Sequence, residues 1–335
     1  MTQVPVGEDG AMRVLIVGAG VIGTVYGAHL GAAGHLVSVL SHPPRTDEIA
    51  ARGLAARDVL DGSRTETRVS VVPDAAPGPY DLVLVAVRTD QLGPACTRLT
   101  ELTGRPTVLF FGNNPGGRSA IAAIIPGQVA LGFPGVGGVL RDGVAEYVRI
   151  RQQPTALPAA SDSRLAQMAE ALRQRGFRLQ HVTDIDGWLV YHAAFVACVC
   201  AALYRCGTDA TRLAADRPTL NLMCAAVTEA FTALRKNGTT GLPRNLAVLH
   251  SPVLRPLAVR YWARTMRSPT GELCFAAHAR HAPAEMLALA EHVTARLANT
   301  PATSHVFQLL EGSLSWPTRG IRGPRKPLAP DGLWS

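Results

Sequence analysis

A glycine-rich stretch near the start of the chain has the composition and spacing of a phosphate-binding turn. Its three glycines follow the apolar run Arg13–Val17 directly, and a segment of helical composition follows them. In such a turn the first glycine permits a sharp bend, the second lets the backbone approach a pyrophosphate, and the third lets the helix pack against the strand. The amides at the helix N-terminus would then face the phosphates. The residues predicted to bind a dinucleotide here are Gly18, Gly20, Val21, Ile22 and Gly23.

The residues after the second apolar run, His35–Leu40, bear on which dinucleotide the turn would hold. A carboxylate at this position usually binds the ribose hydroxyls of NAD. Here Ser41, His42 and Arg45 follow the run, and these side chains suit the 2′-phosphate of NADP. Asp47 lies close enough in sequence to keep NAD open, and an exposed loop charge is the alternative for Arg45. We therefore expect NADPH as the cofactor.

Lysine is nearly absent from this basic chain, which limits the side chains available for proton transfer. The 335 residues include 33 Lys and Arg against 25 Asp and Glu, a net charge of +8, and the only lysines are Lys236 and Lys326.

The distribution of the basic residues bears on the partners of the protein. The arginines are scattered, aromatic residues make up 5% of the chain, and several charges fall in the Pro/Gly-rich segment after Trp316. This pattern disfavours nucleic acid as a partner and favours a small anionic ligand.

Neither a metal site nor a membrane segment is predicted. His278, His281 and Glu285 have the spacing of ligands on one helix face, but Pro283 would interrupt that helix, so we interpret them as a solvated face. The six cysteines lack zinc spacing and fit small buried side chains. No apolar run reaches about 18 residues without a histidine or a charge, and the polar first residues do not resemble a signal peptide. We expect a cytoplasmic protein.

The elements that would position these groups change in type near residue 184. Before that point, short apolar runs alternate with helical or Pro/Gly segments, as in a parallel sheet with helices on both faces. After it, long helical segments follow one another with few strand signals. We predict an α/β Rossmann-type domain followed by an all-helical domain. The predicted boundaries are a flexible lead-in over 1–11, the Rossmann-type domain over 12–184, the helical domain over 185–315 and a disordered basic tail over 316–335.

Four features in order give the chain a resemblance to a known family. The glycine turn comes first, and the strand Asp81–Thr89 then closes with Arg88 where a lysine is typical. The turn Phe110–Gly117 comes next, and Thr183–Trp188 leads into a long helix. In this order they resemble the ketopantoate reductase (2-dehydropantoate 2-reductase) family over about residues 12–312.

That resemblance implies reduction of a 2-keto acid with NADPH and assigns roles by position. The family's substrate-binding asparagine falls on Asn113, its late glutamate on Glu272, and its strand lysine on Arg88. The lysine that protonates the product falls on Tyr191 or His192, of which we prefer His192 as the acid.

Each assigned residue also has an ordinary structural alternative. His192 could be a hydrogen-bonded core residue, and Arg88 a charge at a helix end. Asn113, with Asn114, could serve the turn conformation, and Glu272 could be a first-turn acid. The catalytic residues predicted from the sequence are His192, Glu272 and Asn113. Arg88, which can bind a carboxylate or a phosphate, is predicted to bind the cofactor.

The missing lysine leaves three functions open. The first is an NADPH-dependent reductase that acts on a carbonyl or imine of a small molecule other than ketopantoate. Val196 replaces a second family asparagine, and with Phe195 and Val199 it favours a larger or less polar substrate. The second is a non-redox cyclase, dehydratase or isomerase of specialised metabolism, and the third is an NADP-binding sensor. The resemblance also allows a homodimer formed through the helical domain.

Overall fold

Two β-sheets and a strand pair make up the N-terminal part of this computed structural model, which describes residues 10–73, 78–118, 121, 125, 128–159, 162–298, 300 and 303–314. The main sheet has six parallel strands in the order β5-β2-β1-β6-β7-β8, and a four-stranded sheet has the order β4-β3-β10-β9. The strands are β1 (Arg13–Val17), β2 (Leu36–Leu40), β3 (Leu54–Asp58), β4 (Arg64–Thr67), β5 (Ser70–Val71), β6 (Leu82–Val85), β7 (Thr107–Phe111), β8 (Gln128–Gly132), β9 (Val136–Arg141), β10 (Val144–Arg149), β11 (Thr155–Pro158) and β12 (Leu179–Val182).

Helices pack on the sheets, and every regular element of the described chain after Val182 is helical. The N-terminal helices are α1 (Val21–Ala32), α2 (Arg45–Arg52), α3 (Leu92–Leu99) and α4 (Ser163–Gln174). The later ones are α5 (Ile185–Arg205), α6 (Ala210–Ala215), α7 (Arg217–Lys236), α8 (Arg244–Leu249), α9 (Arg255–Met266), α10 (Ala277–His281), α11 (Pro283–Leu297) and α12 (Ser304–Leu314). A π-helical segment, Gly271–Ala276, runs directly into α10, and 3₁₀ turns occur at Thr89–Gln91 and Pro252–Leu254.

The predicted fold class is confirmed: a Rossmann-type parallel sheet is followed by a helical region. The buried parallel strands were predictable because each is a short, almost wholly apolar run, and β1 has the bounds of the apolar run Arg13–Val17. The domain boundary at residue 184 stays a prediction. The lead-in up to residue 9 and the basic tail over 316–335, which contains Lys326, lie outside the described residues.

The four-stranded sheet was not predicted, because its strands lack apolar runs. β4 is the polar stretch RTET, and β9 contains two glycines. The signal present in the sequence was the turn between β9 and β10, where Asp142 and Gly143 have φ angles of 49° and 81°. An Asp-Gly pair with two positive φ angles is typical of a two-residue hairpin turn.

The helical composition of Leu246–Met266 predicts one long helix, but the structure has two helices here. α8 ends at Leu249 and α9 begins at Arg255. Pro252 lies between the two helices, and Pro256 is the second residue of α9. Proline lacks the amide hydrogen that a continuous helix needs, so the helical composition alone was misleading.

Helix α5 is the central element of the helical core. Nineteen of its residues are buried, and it packs against the helices α7, α11 and α12. It is also the one helix among the described residues that is long and apolar enough to cross a membrane, yet 94% of its apolar window is buried inside the protein. Its apolar composition is therefore accounted for by packing in the core.

Candidate active site

The glycine turn has the geometry that its sequence predicts. Gly18 has a φ of +90°, and a Cβ there would lie 2.7 Å from a methyl of Val87, so only glycine fits this bend. A Cβ on Gly23 would lie 2.0 Å from the carbonyl oxygen of Gly18, because α1 begins close against the turn. At Gly20, by contrast, no atom of the described chain other than those of Gly20 and its two neighbours lies within 4 Å of the Cβ position. The middle glycine therefore faces open space at the start of a helix.

This open space fits a pyrophosphate. Gly20 is the N-cap of α1 and has no side chain that could accept hydrogen bonds from the first amides of the helix. Thr24 is the first residue of α1 whose amide donates back to the turn, to the carbonyl oxygen of Gly20. The amides before it have no intrahelical acceptor, and the positive end of the helix dipole adds to their attraction for an anion. The residues present thus fit the phosphates of a dinucleotide.

Arg45 lies on the inner side of the glycine turn, where its guanidinium is largely used by the protein. It donates to the carbonyl oxygens of Ala19 and Gly143 and to the hydroxyl of Thr24, at 3.1–3.2 Å, and pairs with Glu48 at 2.9 Å. Its side chain is only 12% exposed. We therefore assign Arg45 a role in holding the turn, which leaves it few donors for the predicted contact with a 2′-phosphate.

The end of β2 offers a different arginine for that contact. His42 is exposed, and its Nδ1 lies 3.5 Å from a terminal guanidinium nitrogen of Arg98, which comes from α3. Ser41 precedes His42 directly at the end of β2. Sequence reasoning missed Arg98 because 56 residues separate it from His42. No carboxylate follows β2 until Asp47, which is exposed on α2.

Three polar groups meet at the carboxyl edge of neighbouring strands. The glycine turn follows β1, Arg88 follows β6, and Asn113 follows β7, and these strands are adjacent in the sheet. The carboxyl edge of parallel strands is where open α/β folds bind ligands. The predicted Arg88 and Asn113 are therefore brought to the same edge as the glycine turn.

Asn113 is joined there to a glutamate from the helical region. Its side-chain amide donates a hydrogen bond of 3.0 Å to Oε1 of Glu285, which lies in the first turn of α11. Thr89 fixes the backbone of Asn113 by donating to its carbonyl oxygen at 2.8 Å. The carbonyl oxygens of the Asn113 and Asn114 side chains are buried and have no partner within the described part of the chain.

His278 and Arg88 complete this cluster. Nε2 of His278 lies 3.5 Å from Oε2 of Glu285, and Arg88 donates to the backbone carbonyl of His281 at 3.4 Å. Burial lowers the pKa of His278, while the Glu285 carboxylate acts in the opposite direction and Arg88 and His281 add to the lowering. Glu285 is only 4% exposed, so the interpretation of this segment as a solvated face is wrong for Glu285.

Pro283 explains why Glu285 was missed. The proline is the first residue of α11, a position where the amide hydrogen has no intrahelical acceptor, so proline is well tolerated there. It therefore begins a new helix, and His278 lies on α10 while Glu285 lies on α11. Within the described ranges no group of three or more His, Cys, Asp or Glu side chains could hold a metal ion.

Glu272, the glutamate chosen from the sequence, lies away from this cluster. It is exposed on the π-helical segment and pairs with Arg280. No hydrogen bond links it to Asn113, whereas Glu285 makes one. Its role as the late glutamate remains a sequence prediction that the geometry does not support.

His192 lies inside an aromatic cluster. Its ring stacks on Trp188 at 5.0 Å and contacts Phe133 at 4.0 Å, and its Nε2 is 2.9 Å from Oε1 of Gln153. Burial lowers its pKa to about 3, with a further contribution from His278. Its Nδ1 is buried with no partner among the described residues. His192 is therefore neutral near pH 7, which makes it a weak proton donor in this state.

The remaining α5 residues chosen from the sequence belong to the core. Tyr191 donates its hydroxyl hydrogen to the carbonyl oxygen of Thr239 at 2.8 Å. Phe195, Val196 and Val199 are buried within the helical core. This packing gives no support to the expectation that these three side chains face the substrate, which stays a prediction.

The comparisons with known proteins bear on the family and the fold of this chain. Residues 14–161 match the family model described as ketopantoate reductase PanE/ApbA. Over this segment the chain is similar to the ketopantoate reductase family. The match includes the glycine turn, Arg88 and Asn113 and ends before α4, so it confirms the resemblance over the Rossmann-type part. A search of curated proteins found no match.

Solved structures extend the likeness in fold over nearly the whole chain. A PanE/ApbA family ketopantoate reductase from Ralstonia eutropha is 24% identical, with a TM-score of 0.70 over 92% of this chain and 100% of that one. A dimeric ketopantoate reductase from Staphylococcus aureus is 13% identical, with a TM-score of 0.66 over 92% and 100%. A D-mandelate dehydrogenase bound to NADH and anilino(oxo)acetate is 14% identical, with a TM-score of 0.69 over 92% and 100%.

Proposed function

We propose that this protein is a ketopantoate reductase-like, NADPH-dependent reductase of a 2-oxo acid. The observation that carries the proposal is the hydrogen bond from Asn113 to Glu285 beside Arg88, at the sheet edge that also bears the glycine turn. These groups can bind a carboxylate and a carbonyl oxygen together. The D-mandelate dehydrogenase of similar fold, solved with NADH and an oxoacetate, supports this substrate class.

The glycine turn would hold the cofactor by its pyrophosphate. The amides of Val21, Ile22 and Gly23 would donate to the phosphates, because they open α1 next to the unfilled space at Gly20. When bound, the reduced nicotinamide supplies a hydride. Ser41, His42 and Arg98 would contact the ribose and its 2′-phosphate, which favours NADPH over NADH.

Arg88 and Asn113 would orient the substrate. The planar guanidinium of Arg88 suits the two oxygens of a carboxylate. The amide hydrogens of Asn113 would bind the oxygen of the keto group, where negative charge develops during reduction. In the free protein one of these hydrogens bonds to Glu285, so we expect the substrate to compete for it.

The proton needed by the product oxygen would come from His278, because the adjacent Glu285 carboxylate raises the pKa of this histidine against the effect of burial, whereas no carboxylate of the described residues does so for His192. Nε2 of His278 and Oε2 of Glu285 lie 3.5 Å apart, and Glu285 also touches Asn113. His278 is partly exposed, with a side-chain exposure of 38%, whereas His192 is 2% exposed and packed between rings. This replaces the predicted assignment of the acid to His192 and requires no lysine.

The experiment that tests the function is turnover of NADPH with a panel of 2-oxo acids that includes ketopantoate. We expect oxidation of one NADPH for each 2-hydroxy acid formed, followed by the absorbance of the reduced nicotinamide and by chromatography of the acid. Binding of NADPH without reduction of any panel member would contradict the proposal and would favour a sensor or a non-redox enzyme. A homodimer through the helical domain is tested separately by light scattering.

A further inference from the structure

A groove of roughly 790 Å³ lies on the helical region, between the end of α6, the start of α7 and one face of α9. None of its lining residues belongs to the cluster of Asn113, Glu285, His278 and Arg88. Four arginines line it together with apolar side chains. They are Arg217, Arg260, Arg264 and Arg267.

The positive charge of this groove is largely uncompensated. Arg260, Arg264 and Arg267 are four and three residues apart, so their side chains share one face at the end of α9. All four arginines are exposed, and within the described residues no carboxylate pairs with any of them. Like charges at this spacing on a helix are destabilising. An anion bound between them would remove that repulsion.

Among the residues that the structure describes, Arg267 is the one of the four arginines whose guanidinium donates hydrogen bonds within the protein. It donates to the carbonyl oxygens of Ala214, at the end of α6, and Ala263, at 3.1 and 3.2 Å. Asp216 is the nearest acid in sequence, but its carboxylate accepts from the amide and hydroxyl of Thr219 at the start of α7. The guanidinium groups of Arg217, Arg260 and Arg264 therefore remain available to a ligand.

The remaining lining of the groove is apolar. Ala214, Ala215, Val259 and Ala263 contribute small side chains, and Tyr261 contributes a half-buried ring. Burial raises the pKa of Tyr261, so the ring stays uncharged. A ligand for this groove needs a part that stacks or packs against Tyr261 in addition to its negative charges.

We propose that this groove binds a nucleoside polyphosphate, with its phosphates on Arg217, Arg260 and Arg264 and its base against Tyr261. Guanidinium groups bind phosphates through paired hydrogen bonds, which ammonium groups cannot reproduce. The groove volume is within the range of sites for small ligands. The proposal concerns a site separate from the glycine turn and does not depend on the reductase function.

Calorimetric titration of the full chain with ATP tests the site. Saturating NADPH is present throughout to fill the glycine turn. We expect one equivalent of ATP to bind, with an affinity that falls as salt rises. The variant R260E/R264E should weaken binding at least tenfold, and Y261A should weaken ATP more than inorganic tripolyphosphate.

The matched control is R244E/R296E, which reverses two exposed arginines of the helical region outside the groove. It changes the net charge by the same amount and should leave ATP affinity within twofold. Circular dichroism checks that each variant is folded, and R260Q/R264Q serves if charge reversal unfolds the chain. Absence of ATP binding, equal losses in both double variants, or binding of an acidic peptide alone would overturn the proposal. Because heat is measured rather than turnover, a failure here is distinct from a failure of the reductase proposal.

Discussion

Asn113 and Glu285 are joined by a 3.0 Å hydrogen bond across 172 residues of sequence. The bond connects the carboxyl edge of the parallel sheet to the first turn of a helix in the second half of the chain. The bond therefore directly links the sheet edge that would hold the cofactor to the helix whose glutamate lies beside the proposed proton donor.

Replacing Glu285 by Gln should lower kcat for 2-oxo acid reduction about a hundredfold, because a positioned acid–base group contributes at least that much. The amide keeps the size of the side chain, so NADPH affinity should stay within a few fold. Steady-state kinetics and cofactor fluorescence measure the two quantities. The control is E272Q, since Glu272 is exposed and pairs only with Arg280 among the contacts described. Equal loss in both variants would contradict the assignment of Glu285.

The pH dependence should distinguish His278 from His192. Burial lowers the pKa of His278 while Glu285 opposes that effect, and Arg88, His281 and His192 are the other titratable or charged groups near it. Because the donor must be protonated, kcat/KM for reduction should rise as pH falls below about 6.5. H278Q should flatten this rise. If H192Q flattens the profile and H278Q does not, the sequence-based choice of His192 is the correct one.

The glycine turn permits a test that separates binding from folding. G20A should leave the folded state intact, because no described residue beyond the two chain neighbours has an atom within 4 Å of the new Cβ. It should nevertheless weaken NADPH binding at least tenfold by filling the phosphate space. G23A should instead lower Tm, because its Cβ would lie 2.0 Å from a carbonyl oxygen of Gly18. Thermal melting and cofactor titration of both variants give the comparison. Unchanged NADPH affinity in folded G20A would exclude this turn as the phosphate site.

Cofactor choice should depend on the side chains at the end of β2. We expect R98A to weaken NADPH more than NADH, by about tenfold in the ratio of the two affinities, because only NADPH carries the 2′-phosphate. R45A should lower both affinities alike and also lower Tm, since Arg45 holds Ala19 and Thr24 of the turn. Competition titrations with the two cofactors measure the ratios, and a selective loss of NADPH in R45A would restore the sequence-based assignment.

Buried neutral histidines should make the fold acid-sensitive. Burial lowers the pKa of His29 to about 4 and that of His250 to about 4, below the ordinary value of 6.5. The unfolded chain then binds more protons below pH 6.5, so the stability is fully present above that pH and is lost as pH falls toward 4. Each group contributes a slope of up to about 1.4 kcal/mol per pH unit. Urea unfolding at pH 7.5, 6 and 5 measures the free energy of unfolding at each pH. This free energy should fall less steeply with pH in H29Q than in the control H181Q, because His181 is exposed.

The parts of this protein that follow local rules were predictable from the sequence, and the parts that depend on distant contacts were not. The glycine turn and the buried strands around it are local patterns, and so their positions in the fold could be predicted from the sequence. Glu285 was passed over because its partner is Asn113, and no local pattern marks that contact. His192 was preferred because its position on α5 fits a family pattern, but the packing of Trp188 and Phe133 on its ring could not be read from the chain.

The π-helical segment Gly271–Ala276 has a consequence for how this site could change over time. An α-helix advances each side chain by about 100°, so the wider π turn ahead of α10 alters the direction in which every following residue points. Deleting a single residue from this segment would rotate His278 away from Glu285 while leaving both residues in the sequence. Relatives that retain the same histidine and glutamate can therefore differ in chemistry through the length of this segment alone.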